Sequence, residues 1–153
     1  MQLKLLILIY AAIDIGSNAV RLLIKESIID SNNSDYHFKK ISYTRLPIRL
    51  GNDVFSSGEI SQDNIVNLTK AFKAFRLLME INKVDFFRAC ATSAMRESLN
   101  GTEVSKKIQE KTGFKIELIS GKKEADLIFS NFHFANLSKQ VNYIYIDVGG
   151  GST

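Results

Sequence analysis

A short phrase in which an apolar strand runs into an Asp and a glycine turn occurs twice in this sequence. The two copies read Tyr10-Ala11-Ala12-Ile13-Asp14-Ile15-Gly16-Ser17-Asn18 and Tyr143-Ile144-Tyr145-Ile146-Asp147-Val148-Gly149-Gly150-Gly151-Ser152. Glycine admits φ > 0 and the close approach of a ligand, and successive backbone N–H groups in such a turn can bind an anion. An Asp cannot bind phosphate directly, but it can hold a divalent cation that does. The repeat therefore predicts two related half-domains that close on one phosphate chain.

The composition is that of a soluble globular protein, with 45% hydrophobic and 24% charged residues in a chain of 153. The apolar run before Tyr10 is far shorter than the roughly 20 residues of a membrane span. It leads directly into the first Asp turn, so we interpret it as a strand rather than as a targeting segment. The formal charge of +4 fits a polyanionic ligand, and we expect no nucleic-acid or membrane partner. Cys90 is the single cysteine, which favours a reducing compartment and a cytoplasmic location.

Hydrophobic patterning and turn signals predict an α/β chain that begins with a three-stranded antiparallel meander. The meander strands are expected at residues 5–13, 20–29 and 36–46. The later elements are expected to be helices at 61–82, at 102–111 and from 120 as far as 132 or 137, and strands at 84–91, 114–119 and 141–148. Helices that alternate with strands predict parallel strands joined by crossovers. We expect residues 1–137 to form a first lobe and residues 138–153 to supply the first strand and phosphate turn of a second lobe that is otherwise absent.

Side chains suited to phosphate chemistry lie in the first turn and in two later segments. The turn from Asp14 to Arg21 is either a phosphate site or an ordinary hairpin. Arg96 follows a strand end, where α/β sheets bind ligands, and its guanidinium can hold phosphate oxygens in a bidentate pair; a plain surface Arg is the alternative. Glu124 opens a helix, either as the base that orients a water toward phosphorus or as a complement to the helix dipole.

Further cations either extend a basic track for a polyanion or are simply solvated. They are Arg45, Arg49, Lys122 and Lys123.

Five strings of this sequence resemble, in order and spacing, the exopolyphosphatase/guanosine pentaphosphate phosphatase (Ppx/GppA) family. They are Asp14-Ile15-Gly16-Ser17-Asn18-Ala19-Val20-Arg21-Leu22, Arg49-Leu50-Gly51, Ala91-Thr92-Ser93-Ala94-Met95-Arg96-Glu97-Ser98-Leu99-Asn100-Gly101, Ile119-Ser120-Gly121-Lys122-Lys123-Glu124-Ala125 and Asp147-Val148-Gly149-Gly150-Gly151-Ser152-Thr153. The strings at 91–101 and 120–125 are far more specific than the glycine turns. The resemblance implies a ribonuclease H-like half-domain of the actin-like (sugar kinase/heat-shock chaperone/actin) superfamily.

The resemblance also implies a reaction, the magnesium-dependent hydrolysis of a terminal phosphoanhydride in inorganic polyphosphate or in guanosine pentaphosphate. Glu124 matches the catalytic base, and magnesium and Arg96 would neutralise the terminal phosphate. Asp14 and Asp147 match the acidic residues around the metal and the attacking water. The phosphate-binding set, to which we add Arg21, is Ser17, Asn18, Arg21, Gly149, Gly150, Gly151 and Ser152.

Two departures from the family pattern bear on activity. Ala19 stands where the family often has Ser, and the family pattern usually continues after Ser-Thr with a Glu that helps to bind metal, whereas this chain ends before that position. We expect the chain to lack hydrolase activity alone, and we expect residues 141–153 to pair with another copy, dock elsewhere or stay disordered. A homodimer is the expected assembly. An ATP-dependent small-molecule kinase of the same superfamily and a non-catalytic polyphosphate or nucleotide sensor remain alternatives.

Overall fold

The computed structural model describes residues 6–29 and 36–130. These residues form a mixed five-stranded sheet whose strands lie in the order β3-β2-β1-β4-β5. The strands are β1 (Leu6–Ile15), β2 (Val20–Ile29), β3 (Tyr36–Leu46), β4 (Phe86–Ala91) and β5 (Ile116–Leu118). The helices are α1 (Leu50–Ser57), α2 (Gln62–Ile81), α3 (Ser93–Glu97), α4 (Gly101–Thr112) and α5 (Gly121–Ser130). The predicted α/β fold class is therefore confirmed.

The sheet joins an antiparallel meander to two parallel strands, as predicted. β1 pairs antiparallel with β2, and β2 pairs antiparallel with β3. β4 then lies parallel to β1 and β5 lies parallel to β4. β1 is longer than predicted and continues to Ile15, so Asp14 lies within the strand rather than after it. The predicted strand at 141–148 lies outside the described residues.

The helices at 61–82 and 102–111 are confirmed within a residue or two, because local capping residues define their ends. The Ser61 hydroxyl accepts a hydrogen bond from the Asn64 N–H at the start of α2. Gly113 ends α4 in the left-handed conformation, at φ 74°. The helices α1 and α3 were not predicted. Arg49 precedes α1 with φ 60° and no side-chain cap, so the usual start signal is missing there.

One apolar core lies between the sheet and the helices. Alternate residues of β1 and β2, such as Ile13, Ile15 and Leu22, are buried on the helix-covered face. They pack in one cluster with side chains of α1 to α4, among them Leu68, Phe72, Phe75, Met95 and Ile108. α5 has no buried residue over Gly121–Ser130. The residues between the buried positions of β1 and β2, including Asp14, lie on the other face of the sheet. Asp14 can therefore contact only side chains on that face.

Asp53 links α1 to the start of α2, and its loss is expected to destabilise the fold. Its carboxylate accepts hydrogen bonds from the Ser61 N–H at 2.9 Å and from the Asn64 amide at 2.8 Å. Burial alone would raise the pKa of Asp53, but these hydrogen bonds outweigh burial and hold the pKa below the usual 3.8. Asp53→Ala should lower the free energy of unfolding by about 1–2 kcal/mol at neutral pH, as measured by urea denaturation.

The pH dependence provides the control for this prediction. Because the folded pKa is lowered, the stabilisation by Asp53 is fully present above the ordinary value of 3.8 and is lost as pH falls through the folded value. The stability difference between native and Asp53→Ala proteins should therefore shrink in acid. Asp63→Ala, which removes an exposed acid in the first turn of α2, should have a smaller effect. A difference that persisted unchanged at low pH would contradict the role given to the carboxylate.

Candidate active site

Three segments that are distant in sequence converge at the carboxyl ends of β1 and β4. The Thr92 N–H donates to the Ile15 carbonyl at 3.1 Å, and the Ile119 N–H donates to the Ala91 carbonyl at 3.1 Å. These bonds continue the parallel pairing beyond the strands. They place the turn after β1, the helix α3 and the start of α5 side by side, which is where α/β sheets bind ligands.

In the first turn, Asp14 and Arg21 form an ion pair between β1 and β2. The two residues are direct cross-strand partners, and Arg21 Nη1 lies 2.5 Å from Asp14 Oδ2. Both side chains remain partly exposed, at 39% for Arg21 and 44% for Asp14. The predicted phosphate ligand Arg21 is therefore already paired with the predicted metal ligand Asp14, and a bound phosphate or metal would have to share or displace that contact.

Our expectation of a positive φ in this turn is wrong at Gly16. Among the described glycines, Gly58 and Gly113 have positive φ and Gly16 does not. The turn is closed instead by a hydrogen bond from the Gly16 N–H to the Ala19 carbonyl at 3.0 Å. A Cβ at Gly16 would lie 3.4 Å from that carbonyl oxygen and 3.5 Å from Arg21 Nη1. Both distances are ordinary van der Waals contacts, so neither the backbone conformation nor a steric clash requires a glycine at this position.

Ser17 and Asn18, both predicted to bind phosphate, have different surroundings. Ser17 is buried, and its hydroxyl lies 2.9 Å from the Ser93 hydroxyl, so it joins the turn to α3. Asn18 is exposed. Ser93 was not among the predicted site residues, although it lies in the specific string at 91–101.

The string Arg49-Leu50-Gly51 attaches α1 to the same turn. The Gly51 N–H donates to the Ser17 carbonyl at 2.8 Å, and the Arg49 N–H donates to the Asn18 carbonyl at 3.2 Å. A Cβ at Gly51 would lie 3.1 Å from the Ser17 Cβ, so a glycine is needed for this close contact. The string therefore supports the turn from behind through its backbone.

The two residues predicted to be catalytic, Arg96 and Glu124, are in contact. Arg96 Nη1 lies 3.4 Å from Glu124 Oε2 and donates to the Ile119 carbonyl at 3.0 Å. Arg96 Nη2 lies 3.2 Å from Glu97 Oε1. The Arg96 and Glu124 side chains are only 26% and 21% exposed. The end of α3 and the first turn of α5 thus hold a cation and a carboxylate together at the edge of the convergent site.

Ser120 begins α5 and thereby fixes the position of Glu124. The Ser120 hydroxyl accepts a hydrogen bond from the Lys123 N–H at 3.2 Å, and the Glu124 N–H donates to the Ser120 carbonyl at 2.9 Å. The predicted capping role of Ser120 is confirmed. A Cβ built on Gly121, the first helical residue, would meet no atom of residues 6–29 or 36–130 within 4 Å, so none of these residues blocks the approach to this helix start.

Beyond Asp14, the same row of the sheet carries Cys90 and Glu117. The register pairs Asp14 with Cys90, and Cys90 with Glu117. A hydrogen bond from Arg88, 2.6 Å away, is the main cause that lowers the pKa of Glu117. Burial raises the pKa of the Cys90 thiol, which therefore stays protonated and is not an activated nucleophile.

Of the two predicted metal ligands, the structure describes Asp14, whose carboxylate is paired with Arg21. Within residues 6–29 and 36–130, there is no group of three or more His, Cys, Asp or Glu side chains that could hold a metal ion. Mg²⁺ needs only one or two protein carboxylates, because it keeps waters and binds substrate phosphates. The half-buried Asp14 meets that requirement. The predicted partners Asp147, Gly149, Gly150, Gly151 and Ser152 lie outside the described residues.

The sheet order, the crossovers and the site at the strand ends define an α/β lobe of the actin-like ATPase superfamily. The sequence model of the Ppx/GppA phosphatase family matches residues 27–153. The chain belongs to this family. No helix in the described part of the chain is both long and apolar enough to cross a membrane.

Several relatives resemble the chain over most of its length. It is 35% identical over 148 residues to a bifunctional 3-dehydroquinate synthase/phosphatase of Fusobacterium nucleatum, covering 94% of this chain and 22% of that protein. It is 27% identical over 140 residues to exopolyphosphatase 1 of Mycobacterium bovis, covering 92% of this chain and 39% of that protein.

Solved structures show the same likeness. The Ppx/GppA family member of Aquifex aeolicus superposes with a TM-score of 0.76 at 26% identity, covering 86% of this chain and 41% of that one. An exopolyphosphatase from Cytophaga hutchinsonii gives a TM-score of 0.68 at 27% identity, covering 79% and 37%. The chain therefore spans about two-fifths of the length of these structures.

Proposed function

We propose that this chain carries the catalytic lobe of a phosphoanhydride hydrolase that removes the terminal phosphate of inorganic polyphosphate, of guanosine pentaphosphate, or of both. The contact between Arg96 and Glu124 is the observation that carries the proposal. A guanidinium next to a carboxylate supplies the two functions that phosphoryl transfer to water needs, which are charge neutralisation and acceptance of a proton. Names of relatives such as exopolyphosphatase 1 support the same substrate class.

In the proposed mechanism, the terminal phosphate lies between the turn after β1 and the start of α5. Arg96 binds its oxygens, which draws the guanidinium partly away from Glu124 and leaves that carboxylate free to accept the proton of the attacking water. Asn18 and Arg21 hold the next phosphate in line, and Ser17 supports them through its bond to Ser93. When bound, Mg²⁺ at Asp14, with Asp147 as the second proposed ligand, would supply further charge neutralisation for the phosphate oxygens.

Because this chain is expected to be inactive alone, the test is phosphate release by the full-length parent protein from polyphosphate and from guanosine pentaphosphate, measured with and without Mg²⁺. Release that requires Mg²⁺ and is abolished by loss of Glu124 supports the proposal. Transfer of phosphate to a small acceptor instead of to water would favour a kinase of the same superfamily. Tight binding of either substrate without turnover would favour a sensor. A homodimer, measured by sedimentation, and a cytoplasmic location are further parts of the proposal.

Replacing Arg96 is expected to weaken binding more than folding. Charge-assisted hydrogen bonds contribute about 1.5–3 kcal/mol each, so Arg96→Ala should raise the dissociation constant for tripolyphosphate by about 10- to 150-fold in isothermal titration calorimetry.

Arg76→Ala is the matched control for this change. Arg76 also donates to a backbone carbonyl, that of Thr112, but it lies beside the end of α4, away from the convergent strand ends. The Arg76→Ala substitution should lower the melting temperature without changing the dissociation constant for tripolyphosphate. An Arg96→Ala protein that bound tripolyphosphate normally but melted well below the Arg76→Ala protein would make Arg96 structural.

A further inference from the structure

On the sheet face opposite the helices, four cations lie in two like-charge pairs across β2 and β3. The strand register pairs Arg21 with Arg45 and, beyond a register shift between Ile24 and Lys25 that skips Ile41 on β3, it pairs Lys25 with Lys40. We define these four residues as the basic stripe. Like charges that lie directly opposite each other on neighbouring strands destabilise a sheet. Two such pairs on the same face therefore call for a counter-charge.

Asp14 supplies counter-charge to one member of the stripe, Arg21, and no described acidic side chain supplies it to the other three. The acids on this face are Asp14 and Glu117, and each is held by its own arginine, Arg21 and Arg88 respectively. Glu26 is paired with Lys39, a neighbour of the stripe on β3. Among the described residues, Lys25, Lys40 and Arg45 have no ionic partner. The surface thus keeps an excess of positive charge that extends away from the proposed active site.

The basic stripe begins at the proposed active site and is long enough to contact several phosphates of one chain. Arg21 belongs to both, since it contacts Asp14 in the first turn. Arg21 and Lys25 are four residues apart on one strand, which corresponds to about 13 Å. Tyr43, 53% exposed, faces the same side between Lys40 and Arg45 and offers a hydroxyl donor. A chain of phosphates that leaves the active site past Arg21 would meet all four cations in turn.

We propose that the basic stripe is a secondary subsite for the non-reacting phosphates of a long polyphosphate chain. This inference rests on the proposed function and deepens it, because such a subsite favours long inorganic polyphosphate over short substrates. Multiple ionic contacts also make the affinity depend on salt, since each contact releases counterions.

The test compares tripolyphosphate with long-chain polyphosphate by isothermal titration calorimetry at low salt. The native protein should bind the long chain about tenfold or more tightly than tripolyphosphate. The double variant Lys25→Gln/Lys40→Gln should lose that gain and show a shallower salt dependence, while its affinity for tripolyphosphate stays within about twofold. Lys73→Gln/Lys106→Gln removes the same charge from exposed positions on α2 and α4 and should keep the gain.

Folding is checked by thermal melting at low salt, where removal of a like-charge pair should leave the midpoint unchanged or raise it. Lys40→Gln alone, at an exposed position, replaces the double variant if the latter does not fold. If both double variants lost the tighter binding of long-chain polyphosphate to the same extent, the proposal of a subsite at the basic stripe would be wrong. Equally tight, Lys25- and Lys40-dependent binding of single-stranded polyuridylate would also overturn it, because such binding would mark the surface as a nucleic-acid site.

The outcome also separates this inference from the proposed function. Tripolyphosphate binding that depends on Arg96, without a gain for the long chain, would overturn the subsite and leave the proposed active site intact. Long-chain binding that depends on Lys25 and Lys40 but not on Arg96 would support the stripe as a binding surface and overturn the proposed active site.

Discussion

Replacing Glu124 with Gln is expected to lower the rate of phosphate release by about 10²–10⁴-fold, the usual contribution of a general base. Gln keeps the shape of the side chain and can still face Arg96, but it cannot accept a proton from water. Substrate binding should change by no more than a few fold. The measurement, made in the full-length parent protein, is steady-state phosphate release with Mg²⁺ together with the dissociation constant for tripolyphosphate.

Glu97→Gln is the matched control for this experiment. Glu97 also pairs with Arg96, at 3.2 Å, but its side chain is 47% exposed and it lies on α3 rather than at the start of α5. Its replacement removes the same charge beside the same guanidinium, so turnover should stay within a few fold of native. Unchanged turnover in the Glu124→Gln protein would remove Glu124 from the mechanism, and equal losses in both variants would reduce its role to balancing the charge of Arg96.

The largest effect on stability is expected for Gly101→Ala. A Cβ at Gly101 would lie 1.9 Å from the Met95 carbonyl oxygen and 2.6 Å from the Ser98 hydroxyl. Neither atom can move freely, because the Ser98 hydroxyl donates to the Met95 carbonyl and the preceding Asn100 side chain bonds both the N–H and the carbonyl of Ile60. We expect a loss of about 3 kcal/mol or more in the free energy of unfolding, measured by urea denaturation.

Gly121→Ala is the control for Gly101→Ala, because Gly121 is likewise the first residue of a helix. Gly121 has no positive φ, and the added Cβ would have no atom of the described residues within 4 Å. The substitution should therefore change stability by about 0.5 kcal/mol or less. A Gly101→Ala protein as stable as the Gly121→Ala protein would show that the contact between α3 and α4 relaxes easily, and it would weaken the view that α3 holds Arg96 rigidly.

The elements with local signals were predictable from the sequence. α2 has Ser61 as a capping residue and a regular apolar face, and the end of α4 has Gly113, so both helices were found nearly to the residue. The meander strands were found because turn residues separate apolar runs. Two specific strings identified Arg96 and Glu124 as site residues, but the ion pair between them was not predicted.

The missed features depend on contacts between distant segments. α1 begins at a left-handed Arg49 whose backbone bonds the turn after β1, and no local signal reveals that bond. The burial of Ser17 against Ser93 depends on the parallel pairing of β1 with β4 and so could not be derived from the turn itself. The expectation for Gly16 was wrong for a similar reason, because a backbone bond to Ala19 closes the turn without a positive φ.

The central position of β1 has a consequence for how the protein folds during synthesis. β1 lies between β2, which follows it directly in the chain, and β4, which ends at Ala91. As the chain leaves the ribosome, the meander can form early, but one edge of β1 then has no partner strand and can pair with other chains. Closure of the long loop between β1 and β4 is entropically unfavourable and slow. We therefore expect the lobe to be most prone to aggregation before residue 91 has emerged, and the convergent site to be among the last features to form.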